Sequence, residues 1–275
     1  MATISLDGKV AVVTGGSRGL GRSMAGALAD AGARVVLASP ETDLLREAAA
    51  EIESRNGKGR ALALTTDITR RADCENLLGE TLRQFGGLHV LVNNARRPTR
   101  GPGLPPAGNS LPFWESNPEI WQETVQVNIN GTFRLSHIVT PHLIKQGWGR
   151  IVNLTTSLDT LQRRNNSPYG VTKTALEAAT MIWAQDLAGT GVTVNSLIPG
   201  GACDVDPNRP SVAGQNLLPV DIMNPVIVWL ASDLSDGKTG GRYVGKLWNG
   251  ALPPAEAAGK ALEPPVLRPS DRDRA

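Results

Sequence analysis

A strand, a glycine-rich turn and a helix follow one another near the start of the chain, and this order limits the possible folds more than any other feature. Residues 10–13, VAVV, are a short apolar run of the kind that forms a buried parallel strand. The run continues directly into residues 14–21, TGGSRGLG, and apolar residues then recur at helical spacing over residues 24–29. This succession is typical of a dinucleotide-binding unit.

Three glycines of the turn have separate tasks in such a unit. Gly15 permits the tight turn, Gly19 lets the backbone approach a pyrophosphate, and Gly21 allows the helix to pack close to the strand. The phosphates would lie at the start of the helix, where free N–H groups and the helix dipole favour an anion. An ordinary glycine turn is the alternative, and three glycines between a strand and a helix favour the nucleotide site.

The end of the second predicted strand bears on the choice of nicotinamide dinucleotide. Residues 34–39 form this strand, and sites for NAD usually carry an acidic residue at its end that bonds the ribose 2′-hydroxyl. Ser39 occupies that position, while Arg18 in the glycine turn is free to meet a 2′-phosphate. We therefore expect NADP(H) to be favoured over NAD(H). Glu41 argues against this, because it could take the acidic role if Pro40 turns the chain toward the ribose.

Strands and helices alternate along most of the chain. Helical patterns separate the apolar runs, and the longest of them covers residues 118–145. This alternation predicts an α/β fold, a Rossmann-like doubly wound parallel sheet in a single domain. Beyond the first two strands, the predicted strands lie at residues 61–64, 88–92, 150–154, 192–197 and 243–247.

Three stretches depart from the alternation. Residues 96–112 hold five prolines and three glycines, which predicts a long functional loop at the carboxyl end of a strand. The pattern of residues 202–221 predicts a second loop, which we expect to contribute to substrate binding. From residue 251 onward, five prolines and balanced charges predict a tail without a core of its own. The catalytic domain is therefore expected over residues 1–250 and the tail over residues 251–275.

One tyrosine and one lysine stand four residues apart in residues 169–173, YGVTK. On a helix this spacing places Tyr169 and Lys173 on one face, one turn apart. A phenol titrates near pH ~10, and a neighbouring ammonium group lowers its pKa because it favours the ionised form. The pair could therefore pass a proton to or from a carbonyl or an alcohol. Taken alone, the spacing also fits an ordinary helix start with an exposed lysine.

Composition argues against several other classes of protein. The net charge is +2 and no long basic run is present, so a nucleic-acid partner is not expected. No apolar run is long enough to span a bilayer, and no signal-peptide pattern opens the chain. Cys74 and Cys203 lie far apart without metal-ligand spacing. We therefore expect a cytoplasmic protein without a membrane segment, a metal site or disulfides.

Together and in this order, the motifs resemble those of the short-chain dehydrogenase/reductase family, over about residues 9–248. The resemblance implies a nicotinamide-dependent carbonyl reductase or alcohol dehydrogenase that acts on a small carbonyl or alcohol substrate. It also implies a homodimer or homotetramer built on the helices that carry Asn128 and Tyr169. The motifs are TGGSRGLG at 14–21, Asp67 after the third strand, NNA at 93–95, Asn128 in VNING, TTS at 155–157, YGVTK at 169–173 and IPG at 198–200.

The resemblance implies a role for each matching residue. Tyr169 is the general acid/base, and Lys173 lowers its pKa and bonds the nicotinamide ribose. Asn128 holds a water that links Lys173 to solvent, and a hydroxyl residue after the fifth strand orients the substrate oxygen. The residues expected to bind the cofactor are Gly15, Ser17, Arg18, Gly19, Leu20, Gly21, Ser39, Asp67, Ile68, Asn94, Ala95, Tyr169, Lys173, Pro199 and Gly200.

Two positions depart from the family pattern. The hydroxyl residue is usually Ser, and the alignment places Thr156 there with Ser157 beside it. Thr offers the same donor and acceptor. Side chains alternate at a strand end, so only one of the two should face the substrate; we favour Thr156 and keep Ser157 as the alternative. Arg96 stands where the family has Gly, with Arg97 and Arg100 in the same loop. For these arginines we favour solvation slightly over a substrate-binding role.

Two functions are consistent with the sequence. The first is an oxidoreductase that transfers a hydride between NADP(H) and a ketone or secondary alcohol. The alternative is a nucleotide-binding regulatory protein on the same fold with little or no turnover, which the Arg96 and Thr156 departures would fit. The substrate is not named by the sequence, because Leu111, Phe113 and Trp114 could either wall an apolar pocket or pack their loop down.

Overall fold

The fold is built on one eight-stranded sheet. The computed structural model describes residues 4–97, 111–205 and 216–267, so parts of both predicted loops and the end of the predicted tail lie outside the described residues. The strand order is β3-β2-β1-β4-β5-β6-β7-β8, and every neighbouring pair is parallel except β7 with β8. The strands are β1 (Val10–Thr14), β2 (Arg34–Ser39), β3 (Ala61–Thr65), β4 (Val90–Asn93), β5 (Gly149–Leu154), β6 (Val192–Ile198), β7 (Arg242–Val244) and β8 (Leu262–Glu263).

Helices cover both faces of this sheet, which confirms the predicted doubly wound α/β architecture. No helix in the described ranges is both long and apolar enough to cross a lipid bilayer. The helices are α1 (Gly19–Asp30), α2 (Thr42–Asn56), α3 (Arg71–Phe85), α4 (Pro118–Val125), α5 (Thr132–Lys145), α6 (Leu158–Gln162), α7 (Tyr169–Asp186), α8 (Asn224–Leu230) and α9 (Pro254–Ala261).

The central strands divide the core into two halves because successive side chains point to opposite faces. In β1, Ala11 and Val13 pack with α1, α2 and α8, whereas Val12 packs with α3 and α5. Residues of β1 and β4 are buried throughout, so their continuous apolar runs are those of strands covered on both faces. The edge strand β3 is only half-buried.

The site is positioned by the reversal of strand order between β1 and β4. From β1 the chain proceeds outward to β2 and β3, and it then returns to lay β4 on the other side of β1. A crevice forms at the carboxyl ends of strands where the order reverses, and ligands bind there in open α/β sheets. The glycine-rich turn leaves β1 at this point, and Asn94 follows β4 directly.

The long helix predicted over residues 118–145 is interrupted in its middle. Residues Gln126–Gly131 form a π-helical segment between α4 and α5. Single π-helical turns inside α-helices are frequent at functional sites. Asn128 lies in this segment and is fully buried, so the interruption sets where its amide points. Residues 158–162, which were not predicted as helical, form the short helix α6.

The C-terminal segment joins the sheet. The prediction of a tail from residue 251 is wrong for residues 254–263, which form α9 and β8. Ala257, Ala258 and Ala261 are buried, and these small side chains let α9 pack closely on α8 and β7. The predicted last strand over residues 243–247 is also shorter than expected, because β7 ends at Val244 and a 3-10 turn follows it.

Candidate active site

The glycine turn after β1 has the geometry that its spacing predicted. Gly15 and Gly19 both have positive φ, +63° and +54°, a region that favours glycine. A Cβ on Gly21 would lie 2.1 Å from the Gly15 carbonyl oxygen and 2.5 Å from Asn94 Nδ2. Only glycine therefore allows α1 to begin so close to the end of β1.

The start of α1 is open to an anion. Arg18 occupies the N-cap position in an extended conformation, and no side chain among the described residues caps the helix. The first turn, which includes Leu20, contains no acidic residue. Uncapped N–H groups at a helix start are a ready-made phosphate site, because the helix dipole adds to their positive charge.

Asn94 and Ala95 fasten the end of β4 to the glycine turn. The Asn94 side chain donates to the carbonyls of Thr14 and Gly15, at 2.8 and 3.1 Å. The Thr14 hydroxyl accepts from the backbone N–H groups of Asn94 and Ala95, each at 3.0 Å. These contacts hold the two sides of the crevice in one register.

At the end of β2, the Arg18 side chain is held in an ion pair. Arg18 Nη2 lies 2.8 Å from Glu41 Oε1, so the premise that Arg18 is free to meet a phosphate is wrong. The Ser17 hydroxyl donates to Glu41 Oε2 at 2.5 Å, and Ser39 Oγ accepts from the Glu41 backbone N–H. Pro40 therefore turns the chain so that Glu41, and not a vacant Ser39 position, faces the glycine turn.

The remaining predicted cofactor residues line the same edge of the sheet. The Asp67 carboxylate accepts from the Thr69 backbone N–H and hydroxyl, at 2.9 and 2.7 Å, and Ile68 packs under the π-helical segment. Beyond β6, Gly200 has a φ of +92°, and a Cβ there would meet Lys246 and Val244. The Pro199 carbonyl accepts from the Lys246 backbone N–H, which holds this turn against the end of β7.

Tyr169 and Lys173 stand on the first turns of α7, at the carboxyl end of β5. Lys173 Nζ lies 6.0 Å from the centre of the Tyr169 ring and donates to the Leu154 carbonyl at 2.6 Å. Lys173 is buried, whereas Tyr169 is half-buried. The Thr156 side chain lies next to the Tyr169 phenol and acts to lower its pKa. The Tyr169 phenol, the Lys173 amine and the Thr156 hydroxyl are therefore grouped at the carboxyl end of β5.

The electrostatics of this pair differ from the sequence expectation. Burial raises the pKa of the Tyr169 phenol above its ordinary value, although the charge of Arg96 and the Thr156 side chain act to lower it. Burial also lowers the pKa of Lys173 to about 7, and Arg96 acts in the same direction while Glu177 opposes it. Desolvation is the largest influence on both groups, and the expected lowering of the Tyr169 pKa by Lys173 stays a prediction.

The two hydroxyl candidates have different partners. Ser157 Oγ lies 3.0 Å from Thr160 Oγ1, and Ser157 occupies the N-cap position of α6. Thr156 instead meets Tyr169. The geometry supports Thr156 as the hydroxyl that faces the reacting oxygen, and the assignment stays a prediction.

Asn128 reaches the catalytic helix from the π-helical segment. Its amide donates to the Thr172 hydroxyl at 3.0 Å, and its Oδ1 accepts from the Arg97 backbone N–H at 2.9 Å. Thr172 precedes Lys173, so Asn128 lies beside the lysine helix without a direct contact to the ammonium among the described residues. Its predicted link to Lys173 through water stays a prediction.

The comparisons with known proteins agree with this arrangement. The family model described as short chain dehydrogenase matches residues 9–213. The chain belongs to the short-chain dehydrogenase/reductase family. It is 33% identical over 196 residues to the 2,5-dichloro-2,5-cyclohexadiene-1,4-diol dehydrogenase of Sphingobium indicum, which covers 71% of this chain and 74% of that protein.

Two solved structures of family members carry a nicotinamide dinucleotide. The 3-ketoacyl-(acyl-carrier-protein) reductase of Brucella melitensis, complexed with NADH, matches with a TM-score of 0.76 and 27% identity over 87% of this chain and 97% of that one. A short chain dehydrogenase of Shigella flexneri, complexed with NADP, matches with a TM-score of 0.77 and 26% identity over 89% of this chain and all of that one, 100%. This family member is therefore an oxidoreductase that uses a nicotinamide dinucleotide.

The residues present fit such a cofactor. The cradle between β1 and α1 would be filled by any Cβ at Gly21, and the uncapped helix start faces it. The neighbouring end of β2 offers the Glu41 carboxylate and two serine hydroxyls, the groups that bond a ribose. The pyrophosphate and one ribose of a dinucleotide therefore have matching partners in this fold.

The arginines after β4 divide into two kinds. Arg97 forms an ion pair with Glu123 at 2.6 Å and is mostly buried. Arg96 is exposed, and its charge acts on both Tyr169 and Lys173. Arg100 lies outside the described residues. Arg96 is exposed to solvent, as expected for the loop arginines, whereas Arg97 is not. The charge of Arg96 nevertheless acts on Tyr169 and Lys173.

The first loop ends in an aromatic pair that is not packed down. The Phe113 and Trp114 rings meet edge to face at 5.3 Å and are about 70% exposed, at 72% and 70%. With Pro112 they line a cavity of about 420 Å³ whose opposite wall is residues 161–167, directly before Tyr169. The described start of the second loop also lies near the site, because Val205 approaches Gly19.

Two charged residues next to the end of β5 were missed by the sequence reasoning. Glu177 and Arg242 are buried and form an ion pair at 3.1 Å directly behind Thr156. Glu177 had a usable signal, since it repeats the four-residue spacing of Tyr169 and Lys173 along α7. Arg242 had none, because it comes from a strand near the other end of the chain.

Proposed function

We propose that this dehydrogenase transfers a hydride between a nicotinamide dinucleotide and a ketone or its secondary alcohol, with Tyr169 as the general acid/base. The observation that carries the proposal is the meeting of Tyr169, Thr156 and Lys173 at the edge of the sheet that also holds the glycine turn. The nicotinamide supplies or accepts the hydride when it is bound.

In the reductive direction, the Tyr169 phenol gives its proton to the carbonyl oxygen. Its pKa is raised by burial, so the phenol is protonated at neutral pH and can act as an acid. The Thr156 hydroxyl holds the same oxygen in place. The Lys173 ammonium, when charged, favours the phenolate that proton transfer leaves behind.

For cofactor preference, the geometry supports the alternative in which Glu41 faces the ribose. The preference for NADP(H) expected from the sequence rests on a free Arg18, and Arg18 is paired with Glu41. Ser17 and Ser39 hold the Glu41 carboxylate where it can accept from ribose hydroxyls, and a 2′-phosphate would meet its negative charge. We therefore propose that Glu41 makes NAD(H) the better cofactor.

The proposed assembly is a homodimer or homotetramer on the helices that carry Asn128 and Tyr169. Support comes from exposed apolar side chains there: Phe133 on α5 is 54% exposed, and Val171 and Ile182 on α7 are about half exposed, at 49% and 55%. Sedimentation equilibrium measures the assembly, and a monomer at micromolar concentration contradicts it.

The deciding experiment follows NADH and NADPH oxidation with a panel of ketones, and the reverse reaction with the matching alcohols. We expect turnover with at least one ketone and a higher kcat/KM for NADH than for NADPH. The panel should include cyclic ketones and 3-oxoacyl thioesters, since relatives named for a cyclic diol and for a 3-ketoacyl substrate are similar to this chain.

The alternative function, a nucleotide-binding regulator, is favoured by one observation. Burial lowers the pKa of Lys173 to about 7, and a lysine that is only partly charged at neutral pH would stabilise the Tyr169 phenolate less. Calorimetric titration with NADH, combined with the turnover panel, distinguishes the two functions. Binding of NADH without turnover over the whole panel, in either direction, would favour the regulator.

A further inference from the structure

Three successive residues at the carboxyl end of β5 are each held by a different charged side chain. This segment, residues 154–156, ends in the hydroxyl residue that meets Tyr169. All three holding side chains are buried. The contacts run from Lys173 Nζ to the Leu154 carbonyl at 2.6 Å, from Thr155 Oγ1 to Glu177 Oε1 at 2.5 Å and from Arg242 Nη2 to the Thr156 carbonyl at 2.8 Å.

Arg242 uses every nitrogen of its guanidinium group. Nε donates to Glu177 Oε1 at 3.1 Å, Nη2 donates to the Thr156 carbonyl, and Nη1 donates to Glu263 on β8. Its side chain is 1% exposed. A planar guanidinium that is bonded on all sides fixes the relative positions of its partners, which a lysine cannot do. The catalytic helix, the end of β5 and the C-terminal strand are thereby joined at one point.

Glu177 balances two cations at the same place. Its carboxylate accepts from Arg242, from the Thr155 hydroxyl and from the Ser196 hydroxyl at 3.1 Å. It also acts on Lys173, four residues earlier on α7. With four partners, this carboxylate sets both the position of the strand end and the local charge around the lysine.

We propose that Glu177 and Arg242 are positioning residues of the active site, which hold residues 154–156 so that the Thr156 hydroxyl stays aligned with Tyr169. Neither side chain touches the reacting atoms; each acts through the strand end that it grips. Glu263 completes the set from β8, so the C-terminal segment takes part in ordering the site. The inference deepens the proposed function and rests on it.

A second buried arginine on the same sheet provides the matched control. Arg150 lies near the start of β5, six residues and about 20 Å of extended strand from Thr156. It is also buried, forms an ion pair with Asp236 and lies 4.0 Å from the Trp148 ring. If Arg242 only stabilised the fold, its substitution should therefore have the same effects as substitution of Arg150.

The experiment compares Arg242→Met with Arg150→Met in the full chain. We expect both to lower the melting temperature, and only Arg242→Met to lower kcat, by about tenfold or more, since small misplacements of reacting groups are costly. The dissociation constant for NADH should stay within about twofold in both. Equal losses of kcat in the two variants, or an unchanged kcat in folded Arg242→Met, would overturn the proposal.

Two further variants keep the test valid if Arg242→Met does not fold. Arg242→Lys retains the charge and loses the planar fork, and we expect it to recover stability more than kcat. The pair Glu177→Gln with Arg242→Met removes both buried charges, which often restores stability to a protein. Wild-type kcat in the double variant would show that the contacts to residues 154–156 are not needed, and wild-type kcat in Arg242→Lys would show that the planar fork is not; either result contradicts the proposal.

A pH profile separates positioning from general weakening. The charged groups that act on Lys173 are Arg96, which lowers its pKa, and Glu177, which raises it, and Tyr169 lies on the same helix face. Glu177→Gln removes the opposing charge, so the Lys173 pKa should be lowered further. The limb of the kcat profile that reports this lysine should move to lower pH, and an unmoved limb contradicts the role given to Glu177.

Hydrogen exchange tests the same inference without relying on turnover. Peptides that contain residues 154–157 should exchange at least about threefold faster in Arg242→Met than in the wild type, and Arg150→Met should leave them unchanged. If the wild type binds NADH without turnover, the proposed function fails, but this measurement still tests whether Arg242 holds residues 154–156. Unaltered exchange of residues 154–157 in Arg242→Met would overturn the inference in either case.

Discussion

The two halves of the sheet's carboxyl edge are built by different means. Around β1 and β2, the site consists of glycine backbone, an uncapped helix start and a partly exposed ion pair between Arg18 and Glu41. Around β5 and α7, it consists of buried charged side chains held by hydrogen bonds and an ion pair. The first half can exchange its partners for a ligand at little cost, because exposed ion pairs contribute about 0–1 kcal/mol. The second half cannot rearrange without leaving a buried charge unpaired.

This difference implies a division of labour. Changes in the first half should alter how tightly, and which, dinucleotide is bound. Changes in the second half should alter the rate of the chemical step, because they misplace groups that are otherwise rigid. Each of the following variants tests one side of that division.

The largest effect is expected for Tyr169→Phe, which removes the proton donor and keeps the ring. General acid–base catalysis typically contributes about 10²–10⁴-fold, so kcat should fall by that factor. Steady-state kinetics and NADH titration check this, with binding of NADH expected to be unchanged. A near wild-type kcat in Tyr169→Phe would show that Tyr169 is not the general acid/base and that the second half does not govern the chemical step.

A smaller loss is expected for Thr156→Ala, with Ser157→Ala as its matched control. Thr156 meets Tyr169, whereas Ser157 bonds Thr160 on α6. A hydrogen bond to a charged group is worth about 1.5–3 kcal/mol, which corresponds to about one to two decades in kcat/KM. If Ser157→Ala proves the more damaging substitution, the two hydroxyls have been assigned in the wrong order.

In the first half, Gly21→Ala should weaken cofactor binding by about 5- to 150-fold, since overpacking costs about 1–3 kcal/mol. The added Cβ would lie 2.1 Å from the backbone oxygen of Gly15, which cannot move aside as a side chain could. Gly79→Ala on α3 is the control, since nothing described lies within 4 Å of the Cβ it would add. Fluorescence titration with NADH measures both variants. Equal affinity in Gly21→Ala and wild type would contradict the close-approach argument.

The choice of dinucleotide should change with Glu41→Gln. A hydrogen bond to a neutral acceptor is worth about 1 kcal/mol less than one to a charged acceptor, so the preference for NADH should fall by about fivefold. Arg18 loses its partner in this variant and becomes available to a 2′-phosphate. Glu51→Gln, which breaks the Arg22 ion pair on the same two helices, is the control. A wild type that prefers NADPH would restore the original sequence expectation.

The smallest effect is a shift of the pH profile in Arg96→Gly, which restores the residue common in the family. Arg96 lowers the pKa of both Tyr169 and Lys173, so its removal raises both. Alcohol oxidation requires the phenolate, and its rising limb should therefore move to higher pH. Arg71→Gly, at an exposed arginine paired with Glu75 on α3, serves as the control. A limb that stays in place, or moves to lower pH, would show that the Arg96 charge does not reach the pair.

Much of the first half was predictable because its chemistry is local. The glycine spacing over residues 14–21 specifies the turn, and the period of the apolar residues specifies the strand and helix that flank it. Asn94 and Ala95 were predictable for the same reason, as they follow the next strand directly. Glu41 was recognised as a competitor for the ribose, but its orientation depended on the turn at Pro40 and its contacts with Ser17 and Arg18.

The second half divides differently between sequence and structure. The spacing of Tyr169, Lys173 and Glu177 is written in the sequence, because a helix brings every fourth residue to one face. Arg242 and Glu263 reach the site only through strand pairing at the far edge of the sheet. The pKa directions also required the tertiary structure, since desolvation sums the burial contributed by many segments. Local spacing therefore determined which groups could do the chemistry, and long-range packing decided their charge and alignment.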